Sequence, residues 1–187
     1  MRITRTTSMA VAVLALSVPW ARGAESVIGN GVARVCYQHT EHDLNARDGV
    51  RICTDALEHD VLSGADRTAT LINRAIERAR MADTDGAMAD YDAAIAIGAN
   101  PAAAYLNRSA TLIALHRYAD ALADADRAVA LKAPRLEIAY YNRGLANESL
   151  GNIEAAYHDY QDALKVAPDF AAASQQLSRF RLVQSDP

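Results

Sequence analysis

The chain has 187 residues, 51% hydrophobic and 22% charged, with 19 Lys+Arg against 23 Asp+Glu for a net charge of −4. That composition supports one modest globular unit and excludes a charge-rich disordered chain. The only lysines are Lys132 and Lys165, and no basic stripe is present to hold a phosphate backbone, so nucleic acid is not an expected partner.

Residues 1–23 read as a secretory signal peptide. Arg2 and Arg5 precede the apolar run Met9–Val18, and Pro19, Trp20 and the stretch Ala21–Ala24 follow. The run is shorter than the roughly 20 residues that cross a bilayer, so no stable membrane anchor is expected after cleavage. Cutting after Gly23 removes three arginines and no acid, leaving 16 basic against 23 acidic side chains, or −7. The expected location is periplasmic or secreted, in a bacterium.

Residues 24–63 are expected to form a degenerate helical hairpin, running from about Gly31 to His59, with extra residues around Ser63–Asp66. Gly49, Cys53, Ala56 and Leu57 step i, i+4, i+7, i+8, one face of a helix. Counting back 21 residues from Ala56 reaches Val35, the place held in later units by an asparagine. Cys36 and Cys53 then meet across the hairpin. An exported chain with two cysteines is read first as carrying one disulfide, and a loop of about 17 residues closed in this way gains roughly 3 kcal/mol. A metal site is the rival reading, because Cys36, His39 and His42 recur every three residues with Cys53 as a possible fourth ligand. Positions i and i+6 of a helix lie far from one face, which disfavours it.

Residues 64–169 hold three units, about 68–101, 102–136 and 137–170. Asn-Arg recurs at Asn73-Arg74, Asn107-Arg108 and Asn142-Arg143, at spacings of 34 and 35. Behind each pair lies a stripe stepping i, i+4, i+7, i+8: Ala87, Tyr91, Ala94, Ile95, then Ala121, Ala125, Ala128, Val129, then Ala156, Tyr160, Ala163, Leu164. Small residues on such a stripe let a neighbouring helix approach closely. Asp83–Gly86, His116-Arg117 and Gly151-Asn152 carry the turn signals, and Pro101, Pro134 and Pro168 punctuate the unit ends. Each unit is therefore helix, turn, helix. Residues 170–187 are expected to supply a capping helix, continuing to about Val183 through Leu177, Phe180 and Leu182, and a tail.

These units resemble tetratricopeptide repeats, the 34-residue helical hairpins that stack into a superhelical solenoid. The last unit resembles them most, through Tyr140–Gly144, Leu150-Gly151, Ala156, Tyr160, Ala163-Leu164 and Pro168. Ala75 and Ser109 stand where Gly144 does, and Ala125 stands where the other two units have tyrosine. The resemblance implies an all-α solenoid of about three repeats, with a degenerate hairpin before and a cap behind.

Arg74, Arg108 and Arg143 are each followed 16 residues later by Asp90, Asp124 and Asp159. These read as structural ion pairs joining the two helices of each unit. The resemblance places first helices on the concave face, where Asn73, Asn107 and Asn142 are candidates to hold the backbone of an extended peptide. Bonding within the hairpin is the equal alternative. Ile76, Ile113, Tyr141 and Leu145 would share that face, with Ile72, Arg80, Leu106, Ala110 and Glu148. The basic cluster with which some family members clamp a C-terminal carboxylate is absent, which disfavours chaperone tails.

No Gly-Xaa-Ser-Xaa-Gly, phosphate-cradling glycine loop or His-Glu-Xaa2-His occurs, and no catalytic residue or cofactor is expected. The expected role is a non-catalytic interaction module binding an unknown protein or peptide. The alternative is a structural or assembly factor of the envelope that acts by self-association as a homo-oligomer; a metal-binding protein ranks behind both.

Overall fold

A computed structural model describes residues 2–5 and 31–183. Within them the order is β1 (Arg2–Arg5), α1 (Val32–Glu41), α2 (Ala46–His59), α3 (Gly64–Arg80), α4 (Thr84–Ile97), α5 (Pro101–Ala114), α6 (Tyr118–Ala130), α7 (Leu136–Ser149), α8 (Ile153–Val166), α9 (Ala171–Leu177) and β2 (Phe180–Val183). Consecutive helices pair into four hairpins, α1/α2, α3/α4, α5/α6 and α7/α8, with α9 laid against α8. Odd-numbered helices from α3 to α7 make one row, and even-numbered helices make the other.

The hairpin turns share one backbone device. The residue two places past the last helical residue is left-handed in all four: Asp43 (φ 52°), Ala82 (φ 60°), His116 (φ 58°) and Gly151 (φ 83°). In this conformation its N–H turns back onto a carbonyl of the finished helix, as in Ala82 to Ala79 and His116 to Ile113. Starts are fixed by side chains where the sequence supplies them: Asn45 caps α2, Asp83 caps α4, and Pro101 opens α5.

Helix pairs are held together by size matching. Ala87, Ala94, Ala121, Ala125, Ala128, Ala156 and Ala163 are all fully buried where the two helices of a unit touch. In the last unit the Tyr160 ring fills that seam, and Gly144 leaves the space for it. In the middle unit Ala125 replaces the ring, and Ser109 stands in place of the glycine, bonding Leu106 O at 2.7 Å and receiving the Asn142 amide. The departures from the repeat pattern at 109 and 125 are thus one compensated exchange.

Two expected boundaries move. The residues Ser63–Asp66, read as an insertion, form the start of α3. Ser63 Oγ accepts the Asp66 N–H at 3.1 Å and donates to its carboxylate at 2.7 Å, a reciprocal cap that begins the helix four residues early. The C-terminal helix stops at Leu177. Phe180 inserts its ring against Tyr157 and Tyr160, with centroids 5.7 and 5.9 Å apart, and this docking draws the chain off the helix axis. Phe180–Val183 is extended instead, pairing antiparallel with Arg2–Arg5 in the register Arg2 with Val183 and Arg5 with Phe180. The signal-peptide reading otherwise falls on residues 6–23, outside the described ones.

Candidate functional site

The three repeated arginines lie between the two rows. Arg74 donates through Nε and Nη2 to the Asp90 carboxylate (2.9 and 2.7 Å), Arg108 to Asp124 (2.6 and 2.9 Å), and Arg143 to Asp159 (2.8 and 2.6 Å). Each guanidinium has a third arm that the sequence reading missed. Arg74 Nη1 reaches back to Thr54 Oγ1 on α2 at 3.1 Å, Arg108 Nη1 to Asp92 on α4, and Arg143 Nη1 to Asp126 on α6 at 3.3 Å. One residue thereby ties three helices and fixes adjacent hairpins to each other. The signal for this was present in Asp92 and Asp126, 34 residues apart.

The charges respond accordingly. The Asp124 bond holds the Arg108 guanidinium above its ordinary value. Burial pulls Arg143 down, but the bonds and charges of Asp159 and Asp126 together outweigh it and leave the group raised. Burial pushes Asp159 above the usual carboxylate range, opposed by the bonds from Arg143 and Asn147. The partners thus differ in sense: the arginine is favoured charged while the buried aspartate is penalised for it. Donors at 2.6 to 2.9 Å act against that penalty.

Beside the arginines lie two clefts of the same construction. One, of about 320 Å³, is lined by Leu122, Asp126, Arg143, Asn147, His158 and Asp159; the other, of about 350 Å³, by Met88, Asp92, Arg108, Leu112, Asp120 and Asp124. In each the arginine is already shared between two carboxylates. Neither lining contains a serine, cysteine or lysine.

The residues read as peptide contacts occupy a different kind of environment. Asn73, Asn107 and Asn142 are 0, 3 and 1% exposed, and Ile76, Ile113, Tyr141 and Leu145 are 4 to 7% exposed. Asn107 Nδ2 donates to Ala103 O at 3.0 Å within its own helix. Asn142 Nδ2 donates to Ser109 Oγ at 2.9 Å and Leu106 O at 3.4 Å, joining α7 to α5. Asn107 thus bonds within its own hairpin and Asn142 to the preceding one, so at both positions the amide is engaged inside the stack. Arg80 is held by Glu77 and Asp43, and Glu148 by Tyr160 and Arg179.

In the first hairpin the Cys36 and Cys53 sulfurs stand at bonding distance, with Cα atoms 4.9 Å apart and both side chains fully buried. His39 faces Glu77, Nδ1 to Oε1 3.6 Å, and His42 is exposed at the end of α1. Among the described residues no group of three or more metal-ligating side chains converges.

The tetratricopeptide repeat family matches residues 138–170, the hairpin α7/α8 with the start of the next segment. The wheat (Triticum aestivum) Hsp70-Hsp90 organizing protein is 36% identical over 104 residues, 56% of this chain and 17% of that protein. Serine/threonine-protein phosphatase 5 of Rattus norvegicus is 36% identical over 87 residues, 46% of this chain and 17% of the phosphatase. A solved structure described as a MamA RS-1 ArsTM double mutant superposes with a TM-score of 0.62 at 22% identity, over 79% of this chain and 82% of that one, a likeness of fold. Residues 138–170 are a tetratricopeptide repeat, and the chain has the fold of a tetratricopeptide repeat solenoid.

The chain spans about a sixth of the curated relatives it matches, so their whole-protein activities are not carried by the match. The tetratricopeptide repeat fold is in general non-catalytic and serves protein–protein interaction. The inner row contains the buried apolar residues Ile72, Ile76, Leu106, Ala110, Ile113, Ile138, Tyr141 and Leu145.

Proposed function

We propose that the protein is an exported, non-catalytic interaction module that holds an uncharged apolar stretch of a protein partner against the inner row α3, α5 and α7. The observation that carries this reading is the composition of the inner row: Ile72, Ile76, Leu106, Ala110, Ile113, Tyr141 and Leu145 form its stripe, and the charges beside them, Arg80 and Glu148, are already paired within the chain, while the outer row carries Asp92, Asp120, Asp126 and Arg117. The relative named for Hsp70 and Hsp90 supports a protein partner in kind. Export rests on the order of residues 1–23 and is supported by a pair of cysteines placed for a disulfide, a bond that persists in oxidising compartments.

The test uses protein recovered from the envelope, as the cell processes it, carrying a photoreactive residue either at Leu145 on the inner row or at Asp92 on the outer row. A partner crosslinked from 145 and not from 92 supports the reading. A partner joined only from 92 rejects it.

Self-association is the second reading, favoured by a specific pattern. Ile97, Leu131 and Val166, at the ends of α4, α6 and α8, are 38 to 48% exposed and recur at spacings of 34 and 35. They form an apolar row along one edge of the stack. A mass that rises with concentration, and stops rising when Leu131→Asp is introduced, would put this reading first.

A further inference from the structure

We propose that the edge of β2 (Phe180–Val183) is a docking edge for an extended segment of a partner protein, and that Arg2–Arg5 is its tethered occupant. Release of that occupant rests on the export reading, because residues 2–5 lie within the stretch 1–23 removed at cleavage.

The strand β2 is held in place by contacts that do not involve β1. Phe180 is 9% exposed, with its ring against Tyr157 and Tyr160, and Arg179 beside it pairs with Glu148 at 3.0 Å. A two-stranded ribbon of this length is marginal alone, so the docking of Phe180, not the ladder, fixes where β2 runs. Loss of Arg2–Arg5 therefore leaves the start of β2 anchored on α8 with one edge open.

The segment seated on that edge shows what it accepts. Arg2–Arg5 pairs antiparallel along β2 with Ile3 opposite Leu182, and Ile3 packs on the apolar cluster that contains Tyr157, Tyr160 and Phe180. A backbone ladder, indifferent to sequence, is thus joined to one aliphatic side chain seated on an apolar cluster. Strand addition at a sheet edge uses these two parts, main-chain bonds for affinity and a side-chain seat for selection. Removing β1 turns a row of strand N–H and C=O groups to water, a template on which another strand pairs, and uncovers the apolar surface under Ile3. The ligand this fits is an extended segment with a branched aliphatic residue at the place of Ile3. A second copy is a poor source, since it loses the same segment at cleavage. While attached, Arg2–Arg5 competes at the high effective concentration of an intramolecular segment and keeps a free ligand out.

The probe is a synthetic peptide of residues Met1–Thr7, titrated into the full 1–187 chain carrying Ile3→Asp and into the unaltered full chain, with backbone amide NMR shifts as the readout. Saturable shifts centred on Phe180–Val183 are expected in the variant, with several-fold weaker binding by the unaltered chain at equal helicity. No saturable shift in the variant, equal binding by the two chains, or equal binding of a peptide that itself carries Ile3→Asp would overturn the proposal. Protein recovered from the envelope and shown by mass to lack residues 1–23 should bind the peptide as the variant does, and its failure to bind would also overturn it. A recovered chain that retains those residues would reject release on export, and with it the export reading, while the Ile3→Asp titration still decides the docking edge.

Discussion

At position 144 there is no room for a side chain. A Cβ there would sit 2.7 Å from Tyr160 Cε1, and the ring is fully buried with its hydroxyl on Glu148 at 2.8 Å, so it cannot step aside. Gly144→Ala should therefore lower unfolding stability by about 1–3 kcal/mol, read as a reduced urea midpoint. The left-handed residues offer the opposite change. Ala82 pays the steric cost of φ 60° at a turn where Gly151 sits without penalty, so Ala82→Gly should raise the midpoint, by up to about 1 kcal/mol. Asp159 gives a dependence on pH. Its folded pKa is raised, so relative to asparagine the aspartate contributes most below the unfolded carboxylate pKa and loses that advantage as pH rises through the folded value. Asp159→Asn should cost more stability at pH 3 than at pH 7 in matched denaturant titrations. An effect growing steadily toward pH 7 would refute the assignment.

Among the elements, the first hairpin has the poorest repeat signature and lacks the Arg–Asp bridge of the others, with Cys36 and Cys53 standing at nearly the same two places. If the pair is bonded, the isolated chain will weigh about 2 Da less than its reduced form. Cys36→Ser with Cys53→Ser should then cost roughly 3 kcal/mol. Because a solenoid's contacts are between neighbours, the loss should show as faster hydrogen exchange in Val32–His59 with little change in α5 to α8.

For the molecule as a whole, stability depends on closing the end of the stack. The cap consists of α9 and Phe180, pinned by Arg179 on Glu148 at 3.0 Å and by Phe170 on Tyr141, centroids 5.3 Å apart. A chain ending at Pro168 would expose Tyr141, Tyr157 and Tyr160, and should melt at lower temperature and bind an apolar dye that the longer chain excludes.

Much of this organisation could be read from residue spacing. The 34- and 35-residue recurrence of Asn-Arg and the small-residue stripes defined the hairpins, because each hairpin meets the same neighbour and must satisfy the same contacts. Spacing within one sequence also located the cysteine pair and the 16-residue Arg–Asp relation. It could not set the start of α3, which a local Ser63–Asp66 cap decided, nor the end of the last helix, which the docking of Phe180 decided. Nor could it say which faces of α3, α5 and α7 meet water. A helical stripe records only that residues share a side; whether that side is groove or core depends on what the folded chain lays against it. For this reason Asn107 and Asn142, Ile76, Ile113, Tyr141 and Leu145, alike as candidates in sequence, proved to be buried only once the helices were stacked.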